Sequence, residues 1–202
     1  MKLYYSAGAC SLSPHIVLEE SGLAYTAVSA PTKTHKLEDG TDYYTINPLG
    51  YVPLLVLDDG TQLREGPVIV QYIADQVPAK NLAPANGTFA RYKLQEWLNF
   101  TGTELHKGFS PLFNPAMPEE AKALSKTRLI SRLQWVDAEL AKSDYLMGDT
   151  FTVADAYLFT VTGWCGHVAV DISALTHLAA YRARVGARPA VQEALRAEGL
   201  IK

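Results

Sequence analysis

The sequence predicts an α/β domain followed by an all-α domain. Three observations carry that expectation. Alternating extended and helical patterns are confined to residues 1–80, a stretch dense in Pro, Asn, Gly and Ala covers residues 77–88, and beyond it only helical periodicity remains. With 202 residues and 48% apolar content, the chain can bury a substantial core in two small domains.

The first half reads in the order βαβ, an irregular stretch, then ββα. "KLYYS" is extended, "SPHIVLEESG" is helical with Gly22 where a helix stop belongs, and "YTAVS" is a second strand. "LLVLDDGTQLR" reads as a hairpin, because two short apolar runs flank Asp59-Gly60, a pair suited to the positive φ of a tight turn. In "EGPVIVQYIADQ", Pro67 suits a first helical turn, and Ile69, Tyr72 and Ile73 follow at i, i+3, i+4. In the second half Leu94, Trp97, Leu98, Leu105, Phe109 and Leu112 share one helical face. Leu129, Leu133, Val136 and Leu140 share another, and this half reads as a helix bundle. "FTVADAYLF" supplies a capping box from Thr152 and Asp155, worth about 1 kcal/mol.

Composition narrows the function. The formal charge is −3 and no run of Lys or Arg exceeds two residues, so a nucleic-acid or anionic-membrane partner is not expected. No signal-like apolar segment follows Met1 and nowhere do 18 apolar residues run together, which points to the cytoplasm. In that reducing setting Cys10 and Cys165, 155 positions apart, are expected to be free thiols. His15, His167 and His177 share no ligand spacing with each other or with either cysteine, so no metal site is expected. "GACSLS" lacks the glycines of a dinucleotide fingerprint and the lysine of a phosphate loop.

Cys10 is the residue whose setting suggests chemistry. By type, Cys is a small buried hydrophobe, and Cys165 in "GWCGHV" is read that way. Cys10 instead lies at the approach to a helix beginning near Ser11, where unpaired amides and the dipole favour a thiolate. Lowering a thiol pKa from about 8.5 to about 6.5 takes roughly 2.7 kcal/mol. A helix terminus gives up to ~2 kcal/mol, and a charge-assisted hydrogen bond ~1.5–3 kcal/mol. Cys10-Ser-Leu-Ser13 has the spacing of a monothiol redox motif, with Ser13 where a second cysteine would resolve an internal disulfide.

The segments "MKLYYSAGACSLSPHIVLEE", "INPLGYVPLL", "REGPVIVQYIADQ", "WLNFTGTELHKGFSPLF", "FTVADAYLF" and "ALRAEGLIK" together make the chain resemble the bacterial beta-class glutathione S-transferases from end to end. That resemblance implies a thioredoxin-like glutathione-binding domain over residues 1–80, a helical domain over residues 88–202 carrying the electrophile site, and a homodimer. Glutathione would be the co-substrate, and a small apolar electrophile the second substrate. In "GYVP", Val52 and a cis Pro53 then resemble the edge that pairs with the cysteinyl part of glutathione. Glu65 and the Gly66 amide resemble the pair that takes its ammonium and adjacent carboxylate, although a hydroxyl residue often stands at Gly66. His35 occupies the place where a lysine commonly meets the glycyl carboxylate, with Lys33 and Lys36 as substitutes.

In "NFTGTELHK" the resemblance places Asn99, Thr103, Glu104, His106 and Lys107 near glutathione, with His106 as a hydrogen-bonding or acid/base partner of the sulfur. By spacing alone Asn99, Thr103 and His106 form a polar helix face that meets water. Tyr5 echoes the catalytic tyrosine of other transferase classes, a role weakened in the beta class. Phe109, Phe113 and Trp164 suggest an apolar acceptor site, and the resemblance extends to transferases of aromatic-pollutant catabolism. Three functions share this fold: conjugation of the glutathione thiol to an electrophile with Cys10 able to form a mixed disulfide, thiol–disulfide exchange or reductive dehalogenation through Cys10, and a non-catalytic interaction module.

Overall fold

A computed structural model describes residues 1–202 and divides them into two compact units. The first comprises Met1–Ala83 with Ala187–Lys202, and the second Pro84–Gly186.

In the first unit, β1 (Lys2–Tyr5), β2 (Thr26–Ser29), β3 (Leu54–Val56) and β4 (Gln62–Leu63) form a sheet in the order β2-β1-β3-β4. β1 and β2 are parallel across α1 (Leu12–Ser21), and the other neighbours are antiparallel. Strand alternation sends Tyr4 into a cluster with Ala30, Tyr43, Val52 and Leu54 on one face. Leu3, paired with Leu55, faces the other way. The turn after β3 uses Gly60 at φ 86°, with Leu57 N–H bonded to Thr61 across it. α2 (Gly66–Gln76) follows, burying Ile69, Val70 and Ile73, each worth about 1.5–3 kcal/mol.

α1 is buried nearly all round because it packs against both α2 and α8 (Pro189–Ala197). This differs from the sequence reading, which left residues 187–202 with the helical half. The closing segment returns to the first unit because Arg188 forms a two-pronged ion pair with Glu20, and Glu198 reaches His15 and the Gly8 amide.

The second unit holds α3 (Phe89–Phe100), α4 (Lys107–Phe113), α5 (Glu119–Leu140), α6 (Val153–Thr162) and α7 (Thr176–Gly186). Leu129, Leu133 and Val136 of α5 are fully buried, as their spacing predicts. The capping box forms: the Asp155 carboxylate accepts from Thr152 N–H at 2.8 Å. α3 and α4 are not one regular helix. Thr101–His106 is a π-helical turn, whose wider winding changes the direction of every side chain after it.

Candidate active site

In the first unit Cys10 lies in the turn before α1 and is partly exposed. Its thiol donates to the Val52 carbonyl at 3.3 Å, and the Val52–Pro53 peptide is cis. Two of the first-turn amides expected near this sulfur bond within the turn instead. Leu12 and Ser13 N–H turn back to the carbonyls of Ala9 and Cys10 at 3.0 and 3.2 Å, and His15 N–H bonds to Ser11 at 3.2 Å. Pro14 has no N–H.

The segment presenting Val52 is tied down from behind. Tyr43 Oη and Asn47 Nδ2 both donate to the Tyr51 carbonyl, at 2.9 and 2.8 Å, while Arg64 donates to Asn47 Oδ1 at 3.0 Å. Gly50 permits the approach, since at φ 65° a Cβ there would lie 2.6 Å from the Tyr44 ring. His35, also at positive φ, stacks on that ring at 4.5 Å, with its Nδ1 buried and unpaired. Lys33 and Lys36 are exposed.

Glu65 opens α2 with φ 66° and ψ 110°, an unusual conformation for a residue with a Cβ and of the kind found at functional sites. Val68 and Ile69 N–H both bond to the Glu65 carbonyl at 2.9 Å. Pro67 has none, so the Gly66 N–H is the donor the helix start leaves over. A Cβ on Gly66 would touch the Pro53 ring at 3.8 Å, so this turn lies against the Val52–Pro53 edge. Cys10, Val52, Pro53, Glu65 and Gly66 are thereby brought into one neighbourhood. Tyr5 packs on the His15 ring at 5.4 Å, and burial, helped by the Glu198 charge, raises its pKa, so it stays a protonated phenol.

In the second unit the π turn separates residues that spacing put on one face. Asn99, Thr103 and Lys107 are exposed, and Thr103 Oγ1 donates to the Asn99 carbonyl at 3.0 Å. The Glu104 carboxylate accepts from Arg132 at 2.7 Å and from Arg128 at 3.1 Å, and these bonds hold its pKa below the usual carboxylate value. His106 is turned inward, with Nδ1 2.7 Å from Tyr157 Oη and its ring 4.9 Å from that of Trp164. Burial, then the Lys107 charge, pushes its pKa down to about 4, so it is neutral at physiological pH. Phe109 and Phe113 pack on Trp164 at 5.6 and 5.8 Å; Phe109 is fully buried and Phe113 half exposed. Cys165 is buried, which raises its thiol pKa to about 11. No three His, Cys, Asp or Glu are grouped to hold a metal ion, and no helix is long and apolar enough to cross a membrane.

A mixed four-stranded sheet with a cis-proline edge beside a helix-start cysteine, joined in one chain to a helical unit, defines a thioredoxin-like protein with an added all-α domain. Residues 7–76 match the family described as glutathione S-transferase, N-terminal domain, and residues 100–189 its C-terminal domain. The chain belongs to the glutathione S-transferase family. It is 50% identical over 200 residues to glutathione S-transferase GstA of Escherichia coli O157:H7, covering 99% of this chain and all of the relative. The solved ternary complex of BphK, a bacterial enzyme of this family, is 57% identical with a TM-score of 0.96, covering 98% of this chain and 100% of that one. A sphingomonad glutathione S-transferase complexed with glutathione is 48% identical with a TM-score of 0.95 over the whole of both chains. Bacterial beta-class enzymes are among its structural neighbours.

Proposed function

We propose that this chain is a glutathione transferase whose first unit holds the tripeptide against the Val52–Pro53 edge. The observation that carries the reading is the Cys10 thiol on the Val52 carbonyl, beside the Pro53 ring, which also lies next to the Gly66 turn. Glutathione offers a group for each part. Its cysteinyl backbone pairs with Val52 N–H and C=O. Its γ-glutamyl carboxylate takes the Gly66 N–H at the α2 start, and its ammonium takes the exposed Glu65. Its glycyl carboxylate takes the ring of His35.

In conjugation, the bound thiol loses its proton to solvent, the sulfur forms a bond to an electrophilic carbon, and the leaving group departs with the electron pair. By resemblance, His106, neutral and hydrogen-bonded to Tyr157, is assigned as the donor in this reaction. The half-exposed Phe113 ring beside Trp164 supports an apolar electrophile on the second unit. Asn99, Thr103 and Lys107 are contacts by resemblance, supported here by their exposure, whereas Glu104 acts through its two arginines.

Cys10 supports a second activity. When the cysteinyl amide takes the Val52 carbonyl, the Cys10 thiol is released from it. Its thiolate can then attack one sulfur of glutathione disulfide, expelling the other half as a thiolate and leaving a mixed disulfide that a second glutathione reduces. The domain roles, a cytoplasmic location consistent with two free thiols, and a homodimer complete the proposal. Exposed Tyr44, Leu49, Tyr51 and Val68 on the first unit, and Phe89 and Tyr92 on the second, supply apolar surface for a partner copy. Cys10→Ala is expected to abolish thiol transfer while conjugation of a chloronitrobenzene keeps at least about a tenth of its kcat, since glutathione brings its own sulfur. Loss of both activities together, or no retention on immobilised glutathione, overturns the assignment.

A further inference from the structure

His106 ends the π turn, and its inward ring is held on two sides. Trp164, nearly buried, meets it edge-on at 71°, and Tyr157, also buried, places its hydroxyl 2.7 Å from Nδ1. Tyr157 stands on α6, whose start is locked by the Thr152–Asp155 cap. The π turn passes close on this side: a methyl group at Gly102 would meet the Tyr157 hydroxyl at 3.6 Å, an ordinary contact. Sequence reading singled out His106 and the α6 cap, but gave Tyr157 no part in either.

A neutral imidazole carries one proton on one of two nitrogens, and the bond made by one decides what the other can do. A phenol is a stronger donor than an imidazole N–H, and a bare imidazole nitrogen is a stronger acceptor than a phenol oxygen. The favoured order across the 2.7 Å contact is therefore O–H donating to Nδ1. We infer that Tyr157 is the positioning residue that fixes the tautomer of His106, leaving Nδ1 as acceptor and Nε2–H as the donor that its proposed role requires. Burial keeps the ring from charging, so selection of the tautomer is the remaining control. A histidine in the other tautomer would present a lone pair where a donor is needed.

The inference rests on the proposed role of His106, and the test separates the two. Long-range proton–nitrogen spectra of the five histidines, with the His106 signals assigned by their loss in His106→Gln, are expected to show the Nε2–H form in the native protein and a mixture in Tyr157→Phe. Conjugation kinetics are expected to show kcat lowered on the order of 10-fold in Tyr157→Phe, with KM for glutathione unchanged within about two-fold. In the double variant kcat should fall no further than in His106→Gln. An Nδ1–H form in the native protein overturns the inference, and so does an unchanged kcat in Tyr157→Phe or an additive double variant. A wild-type kcat in His106→Gln overturns the reading of His106 itself.

Discussion

Exchange of Asp155 for Ala is expected to cost about 4 kcal/mol of stability, read as a fall in the denaturation midpoint with the slope unchanged. The Asp155 side chain accepts from Leu146 N–H, Thr152 N–H, Thr152 Oγ1 and Tyr181 Oη, at 2.9, 2.8, 2.9 and 3.2 Å. Both Asp155 and Tyr181 are fully buried, so Ala leaves donors that water cannot reach. One carboxylate joins the 143–152 segment, α6 and α7. Burial lifts its pKa from the ordinary 3.8 to about 6 even against those four donors, so between these values the folded protein holds a proton that the unfolded chain has released. A raised folded pKa means that this contribution is full below about pH 4 and lost as pH rises through 6, a change of roughly 3 kcal/mol. Asp155→Asn should flatten that part of the pH–stability curve. A stability loss under 1 kcal/mol in Asp155→Ala would contradict this placement.

Glu198→Ala is expected to cost about 3 kcal/mol and to raise KM for glutathione several-fold. Its side chain, fully shielded from solvent, accepts from Gly8 N–H at 2.9 Å and lies 2.8 Å from His15 Nδ1. Gly8, at φ 70°, sits two residues before Cys10, and His15 is on the helix that follows it. Removing the carboxylate deprives the buried His15 ring of this partner, at about 1–3 kcal/mol, and takes the Glu198 bond from the partly buried Gly8 N–H, which loosens the turn that aims the thiol. Chemical denaturation and glutathione titration of the same variant check the two effects. Wild-type stability would show that the closing segment is not a brace for the Cys10 turn.

Local signals account for what the sequence made legible. Cys10, Val52-Pro53 and Glu65-Gly66 each sit where a strand or loop hands over to the next element, and such points carry recognisable residues: a lone thiol before a helix, X-Pro after a glycine, an acid before Gly-Pro. The strand and helix assignments in 1–80 hold for the same reason. Two features lay beyond that reach. The π turn at Thr101–His106 has no residue signature in "FTGTELHK", since Leu98, Leu105 and Phe109 satisfy an ordinary helical period, and only tertiary packing decides that His106 turns in while Thr103 stays out. The return of residues 187–202 to the first unit is a contact across 183 positions between His15 and Glu198. Nothing in "ALRAEGLIK" marks its glutamate as the buried one. Tyr157, two residues past the capping box, carries no local signal that pairs it with His106.

Incubation of the native protein with glutathione disulfide, followed by peptide mass mapping, tests the Cys10–Val52 placement most directly. One glutathione adduct is expected, on the peptide bearing Cys10, formed ahead of any on Cys165 and suppressed by S-methylglutathione, which fills the same edge without a free thiol. An adduct on Cys165 alone, or one on Cys10 that S-methylglutathione leaves untouched, would contradict a tripeptide seated at Val52 beside that sulfur.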